Sequence, residues 1–232
     1  MDCWNTYNIL TKTERWSRQA SPFFFYRKFR KKVLTGSDYR LLELHYKMNE
    51  KSLGDDGAQV KRRENTMKKM LVVYYSWSNG NTKRIAEQLA AATNADIARI
   101  DTAQPYTGSH EEVVEQGQRE VEAGFMPQIQ PLSVNISNYD VIAIGTPTWW
   151  YTMAPAVLTF LRQQNFAGKT VIPFMTNGGW PGHVIKDMET ECKGAKFAHE
   201  MKIQFDSTGG ARLETPESVI AKWVEDVKKD LN

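Results

Sequence analysis

Residues 71–90 read LVVYYSWSNGNTKRIAEQLA, and the passage changes character twice. It opens as an apolar run of the kind a strand buried on both faces requires and closes on a helical pattern, with a polar turn of Ser, Asn, Gly and Thr between. A connection from strand to helix needs one glycine and one capping residue, yet this one offers Ser76, Ser78, Asn79, Asn81 and Thr82 around Gly80. Two readings stand. Either the hydroxyls and amides satisfy the terminal N–H groups of the helix as an elaborate cap, or they join those N–H groups in holding a phosphate.

Outward from that turn the chain is orderly. From residue 70 the runs MLVVYY, ADIARID, YDVIAIGTP, TVIPFMT and EMKIQF alternate with helical stretches. That alternation predicts an α/β domain of three layers, with five parallel strands joined by helical crossovers. The first, third and fourth runs are apolar nearly throughout, as central strands are, whereas the second and fifth mix in polar residues, as edge strands do. The order 2-1-3-4-5 follows. In the last helix Ile220, Trp223, Val227 and Leu231 share one face, which predicts packing on the sheet with Trp223 in the core.

Ligands of such sheets lie outside the carboxyl ends of the strands, where the strand order reverses, here between the first and third strands. The polar turn is at that point. The third strand runs into GTPTWWYTMAPAVLTFL, which brings Pro147, Thr148, Trp149, Trp150 and Tyr151 to the same end. Stiffened by Pro147 and Pro155, this segment is a wall for a flat conjugated ring; a tryptophan pair also reads as an interface patch or a satellite core. The fourth strand runs into TNGGWPGH, where Thr176, Asn177, Gly178 and Gly179 let backbone approach a ligand closely. The turn lacks the Gly-Lys-Ser/Thr ending of a nucleoside triphosphate loop, and no G-x-G-x-x-G follows a strand. A phosphate end, an aromatic wall and a backbone clamp together describe flavin mononucleotide (FMN).

At these residues the chain resembles the flavodoxin family, whose phosphate turn has the form [ST]-x-[ST]-G-N-T. The resemblance covers residues 70–232 and includes the aromatic and glycine loops. It implies the flavodoxin-like fold, bound FMN, and electron transfer from a reductase to an acceptor protein. A second reading keeps the fold and makes the protein a flavin-dependent NAD(P)H:quinone or related oxidoreductase, in which Trp149, Trp150 and Trp180 either frame or fill the space for nicotinamide. A third makes it an interaction module using its basic arm. SWSNGNT carries one residue more than the family turn, with Asn79 the insertion. Tyr151 stands where some flavodoxin-like proteins have glycine, so a peptide flip offering its carbonyl to reduced flavin is expected to cost roughly 1 kcal/mol or more. His183 reads as a proton relay or as a solvated loop residue.

The first 66 residues differ from the rest. They carry fourteen Lys and Arg against eight acids, whereas residues 67–232 carry sixteen against nineteen. SPFFFYRKFRKKVL and the linker-like GDDGAQVKRREN show no sustained period from which to build a core. They read as a basic arm for anionic lipid or nucleic acid, or as a poorly ordered extension. Met67, just before the first strand, favours the extension. The expected division is therefore residues 1–66 as extension and 67–232 as the FMN-binding domain, with no nucleic acid partner. No run reaches the roughly 18 to 20 apolar residues of a membrane span, and the start lacks a secretory signal, so a cytoplasmic protein is expected. Cys3 and Cys192 belong to no paired motif, and His45, His110 and His199 show no metal-ligand spacing. No metal and no catalytic side chain are assigned.

Overall fold

The computed structural model describes residues 68–231. The expectations for residues 1–66, Cys3 and His45 among them, lie outside the described residues. In chain order the elements are β1 (Met70–Tyr74), α1 (Asn81–Thr93), β2 (Asp96–Arg99), α2 (His110–Glu122), β3 (Val141–Trp149), β4 (Thr152–Met153), α3 (Pro155–Gln163), β5 (Thr170–Asn177), α4 (Val184–Glu191), β6 (Lys196–Phe197), β7 (Met201–Gln204) and α5 (Glu217–Leu231).

The sheet runs β2-β1-β3-β5 and ends in a position shared by β6 and β7, both parallel to β5. This is the expected order 2-1-3-4-5, with its fifth member divided. Lys196 and Phe197 pair with the start of β5, and β7 resumes beside Phe174 after residues 198–200, where His199 adopts a φ of 50°. The remaining strand, β4, folds back antiparallel on the end of β3.

Each central strand feeds two cores because its side chains alternate between faces. Leu71, Val73, Ile142, Ile144 and Met175 face Phe160 of α3 and Met188 of α4, whereas Val72, Ala143, Ile172 and Phe174 face Leu89 of α1 and Val227 of α5. These are the three layers. β1 is therefore buried at every position, while β2 and β7 alternate or lie open, as edges do. On α5, Ile220, Trp223, Val227 and Leu231 are all buried, and the Trp223 indole N–H donates to the His199 carbonyl at 2.6 Å. Cys192 is fully buried, and burial pushes its thiol up to about 12, so it is not a thiolate at neutral pH. No helix among the described residues is long and apolar enough to cross a membrane.

Candidate cofactor cleft

The carboxyl ends of β1, β3 and β5 open onto one cleft of about 360 Å³, within the range of small-molecule sites. Its floor is the turn between β1 and α1. Ser78 and Gly80 both have positive φ, 57° and 73°, and Gly80 is the N-cap of α1 with no side chain to cap it. The hydroxyls of the turn do not cap the helix, so the helix start keeps its N–H groups for something else. Thr82, buried, shares a hydrogen bond with Thr176 at 2.8 Å and ties the floor to the end of β5. Ser78 Oγ accepts the Asn79 N–H at 2.6 Å.

Asn79 and Asn81 tie the turn to a second loop. Their side-chain amides donate to the carbonyls of Gly209 and Gly210. They fasten the turn to the loop after β7, which the sequence reading left out. Asp206 organises that loop. Its carboxylate accepts the Thr208 hydroxyl at 2.6 Å and the N–H groups of Gly210 and Arg212 at 2.9 and 3.1 Å. These bonds, the Thr208 hydroxyl first, hold the carboxyl below its ordinary range.

The aromatic wall comes from the end of β3. Thr148 pairs with Met153 and Trp149 with Thr152, which leaves Trp150 and Tyr151 as a two-residue hairpin turn with φ of 47° and 68°. Positive φ at both central positions is what such a turn requires, and for non-glycine residues it costs about 1–2 kcal/mol each. The turn is held from outside. The Trp150 indole N–H donates to the Val114 carbonyl at 2.9 Å, and the Tyr151 carbonyl accepts the His183 N–H at 2.8 Å. Gly182, itself at φ 54°, lies so close beneath that an added Cβ would stand 2.0 Å from the Tyr151 oxygen. Asp187 accepts from Thr152 and pairs with the exposed His183 ring.

The two tryptophans are not equivalent. Trp149 is half-buried, edge-on to Tyr75, Trp77 and Tyr106 at centroid distances of 6.0, 6.2 and 5.0 Å. Gly117 of α2 presses on it, with 3.0 Å between an added Cβ and the indole. Burial pushes up the phenols of Tyr75 and Tyr106, the latter further raised by its bond to Glu120, so this cluster is uncharged at neutral pH. Trp150 is 40 % exposed at the rim, with Tyr151 at 54 % and Trp180 at 59 %.

Of the residues expected at the site, Ser78, Asn81, Thr82, Pro147, Thr148, Trp149, Trp150, Tyr151, Thr176, Asn177 and Gly178 line this cleft. Ser76, Asn79, Gly80 and Gly179 do not line it. Ser76 is buried beneath the turn, and the Gly179 N–H donates to Asn177 Oδ1 at 2.8 Å. The lining also includes Trp77, Phe205, Asp206 and Gly209, with His110, Val113, Val114 and Gly117 from α2. The rule that ligands gather at carboxyl strand ends would have found the loop after β7; nothing in the HEEVVEQG pattern marks α2 as a wall. Among the described residues two hydroxyls are buried without a partner, Ser76 Oγ and Thr148 Oγ1. One lies in the turn between β1 and α1 and the other in the aromatic wall, which fits a ligand that has a charged end and a ring. No group of three or more His, Cys, Asp or Glu among the described residues could hold a metal.

A family model described as flavodoxin matches residues 69–227. A protein assigned as a flavoprotein from Bacteroides eggerthii is 30 % identical, with a TM-score of 0.56, over 69 % of this chain and 98 % of that one. A second, from Bacteroides uniformis, is 26 % identical with a TM-score of 0.56, over 68 % and 98 %. A flavoprotein from Lactobacillus acidophilus, solved in complex with FMN, is 22 % identical with a TM-score of 0.52, over 67 % and 98 %, and shares the fold. Among curated proteins there is no match.

Proposed function

The chain belongs to the flavodoxin family, and on that premise we propose that it binds FMN in the cleft and serves as an electron-transfer protein. The observation that carries the reading is the pair of buried, unpartnered hydroxyls, Thr148 Oγ1 in the cleft wall and Ser76 Oγ in the turn that forms the cleft floor, just behind the lining residues Trp77 and Ser78. Ser76, Ser78 and Thr82, with the first N–H groups of α1, would hold the phosphate. Asn79 and Asn81 keep that turn in shape by anchoring it to the Asp206 loop. Trp149 and Trp150 would flank the ring, Trp149 rigidly because its own edges are packed. Backbone at Asn177 and Gly178 would close the other side and keep water from the ring.

When bound, FMN supplies the redox chemistry, and the protein tunes it through stacking, burial and hydrogen bonds. Transfer to protein partners is favoured over direct use of NAD(P)H because Trp150, Tyr151 and Trp180 crowd the cleft mouth. The test is the absorption spectrum of the purified full chain with FMN, then addition of NADPH alone, then addition of a reductase protein. A carrier binds FMN, stays oxidised with NADPH, and is reduced when the reductase is present. Rapid bleaching by NADPH alone makes it an enzyme, and failure to bind FMN removes both readings.

A further inference from the structure

The cleft is short of positive charge. Of the residues lining it, none is Lys or Arg, and Asp206 brings a carboxylate. A phosphate monoester carries about −1.5 to −2 charge at neutral pH. The one basic side chain in the lining is His110, the first residue of α2. It comes from an element that takes no part in the turn between β1 and α1, yet its ring lies against that turn. Its ring stacks on Trp77, between Ser76 and Ser78, at a centroid distance of 5.7 Å and an interplanar angle of 22°. The loop after β7 is also near, since a Cβ on Gly209 would stand 4.0 Å from His110 Cε1. Gly209 is the residue whose carbonyl is bound by Asn79 of the turn.

We propose that His110 is a phosphate-binding residue, donating an imidazole N–H to the terminal phosphate of FMN from across the turn. The proposal rests on the reading that the turn holds that phosphate. The acids nearest on its own helix are Glu111 and Glu112, and Glu112 is committed to the Ser109 N–H and to the helix cap. Asp206 faces the cleft from the opposite loop with its oxygens committed to Thr208, Gly210 and Arg212. The His110 ring makes no hydrogen bond among the described residues and so can offer a polar hydrogen on that side. A flat imidazole stacked on Trp77 also has less rotational freedom to lose on binding than a free one.

The test compares FMN with riboflavin, which has the ring and lacks the phosphate, in the full chain. His110→Phe keeps a ring against Trp77 and removes the donor; His110→Gln keeps a donor and removes the stack. Donation to phosphate predicts that His110→Phe weakens FMN about tenfold or more, with riboflavin changed less than about threefold, and that His110→Gln retains part of the preference. Equal weakening of both flavins, or unchanged FMN affinity in His110→Phe, overturns the proposal. Ser76→Ala separates the two levels. If that variant loses the preference for FMN while His110→Phe keeps it, the role of His110 falls and the turn stands. If neither variant loses it, or the unaltered chain binds both flavins alike, the phosphate reading falls as well.

Discussion

Replacing Ser76 by Ala should raise the stability of the flavin-free protein and lower its affinity for FMN. The two signs differ because the Ser76 hydroxyl is buried with no partner, in a side chain that is 6 % exposed. An unsatisfied buried hydroxyl costs about 1–3 kcal/mol. Alanine removes that oxygen and leaves the turn's backbone bonds in place. For a domain of this size each kcal/mol moves the melting temperature by about 2–4 °C, so the flavin-free variant should melt a few degrees higher. With FMN the balance reverses. A hydrogen bond to a charged group contributes about 1.5–3 kcal/mol, so its loss weakens binding by about ten- to a hundredfold. At a fixed excess of FMN a tenfold weaker Kd removes about 1.4 kcal/mol of ligand-induced stabilisation. Thermal melts with and without FMN, together with titrations of FMN and riboflavin, read both effects. A lower flavin-free Tm with unchanged FMN affinity would refute the reasoning, since the hydroxyl would then have a structural partner. Equal loss for FMN and riboflavin would move its contact from the phosphate to the ring.

Trp149→Ala should cost stability on the order of 2 kcal/mol because it empties an aromatic cluster, whereas Trp150→Ala should leave Tm within a few degrees and weaken both flavins; matching melts and flavin titrations that show the reverse would exchange their roles. Gly182→Ala puts a methyl into the Tyr151 carbonyl at a φ of 54°, so it should lower Tm and weaken FMN and riboflavin alike, and a variant indistinguishable in both measurements would mean the hairpin is not held from below. Asp206→Asn should lower Tm at neutral pH. Because the folded carboxyl lies below its ordinary range, that deficit is full above the unfolded value of about 3.9 and shrinks as pH falls through the folded one; a deficit that grows on acidification would contradict this sign.

The sheet was legible because double burial writes itself as apolar runs, and β1, β3 and β5 are such runs. The division of the fifth position was not. Lys196 and Phe197 are exposed and only two residues long, so β6 leaves no periodic trace, and its pairing comes from the neighbouring β5. At the site the polar turn was visible as an excess of hydroxyls and amides, but composition does not say which way an amide points. Asn79, legible as an insertion, turns its side chain to Gly209, a contact 130 residues away in sequence. The walls that were missed share this property. His110, Val114 and Gly117 reach the cleft only because α2 lies against the Trp149–Trp150 corner, as the bond from Trp150 to Val114 records.

The hairpin at Trp150 and Tyr151 was equally hidden in the sequence. A two-residue turn with positive φ is normally announced by Asn-Gly or Asp-Gly, and Trp-Tyr announces nothing of the kind. Tyrosine was expected to make a peptide flip costly by resisting positive φ, yet Tyr151 already has a φ of 68°. The strain is present in the folded turn and is offset by neighbours in the segment 182–187. What opposes a rearrangement of the Tyr151 carbonyl is then not the side chain but the bond that the carbonyl already accepts from His183 N–H, and the absence of room above Gly182. A glycine at position 151 would relieve strain in the resting turn without loosening that bond. Control over this peptide therefore lies in the loop after β5, and changes at residues 182 and 183 should alter it more than changes at residue 151 itself.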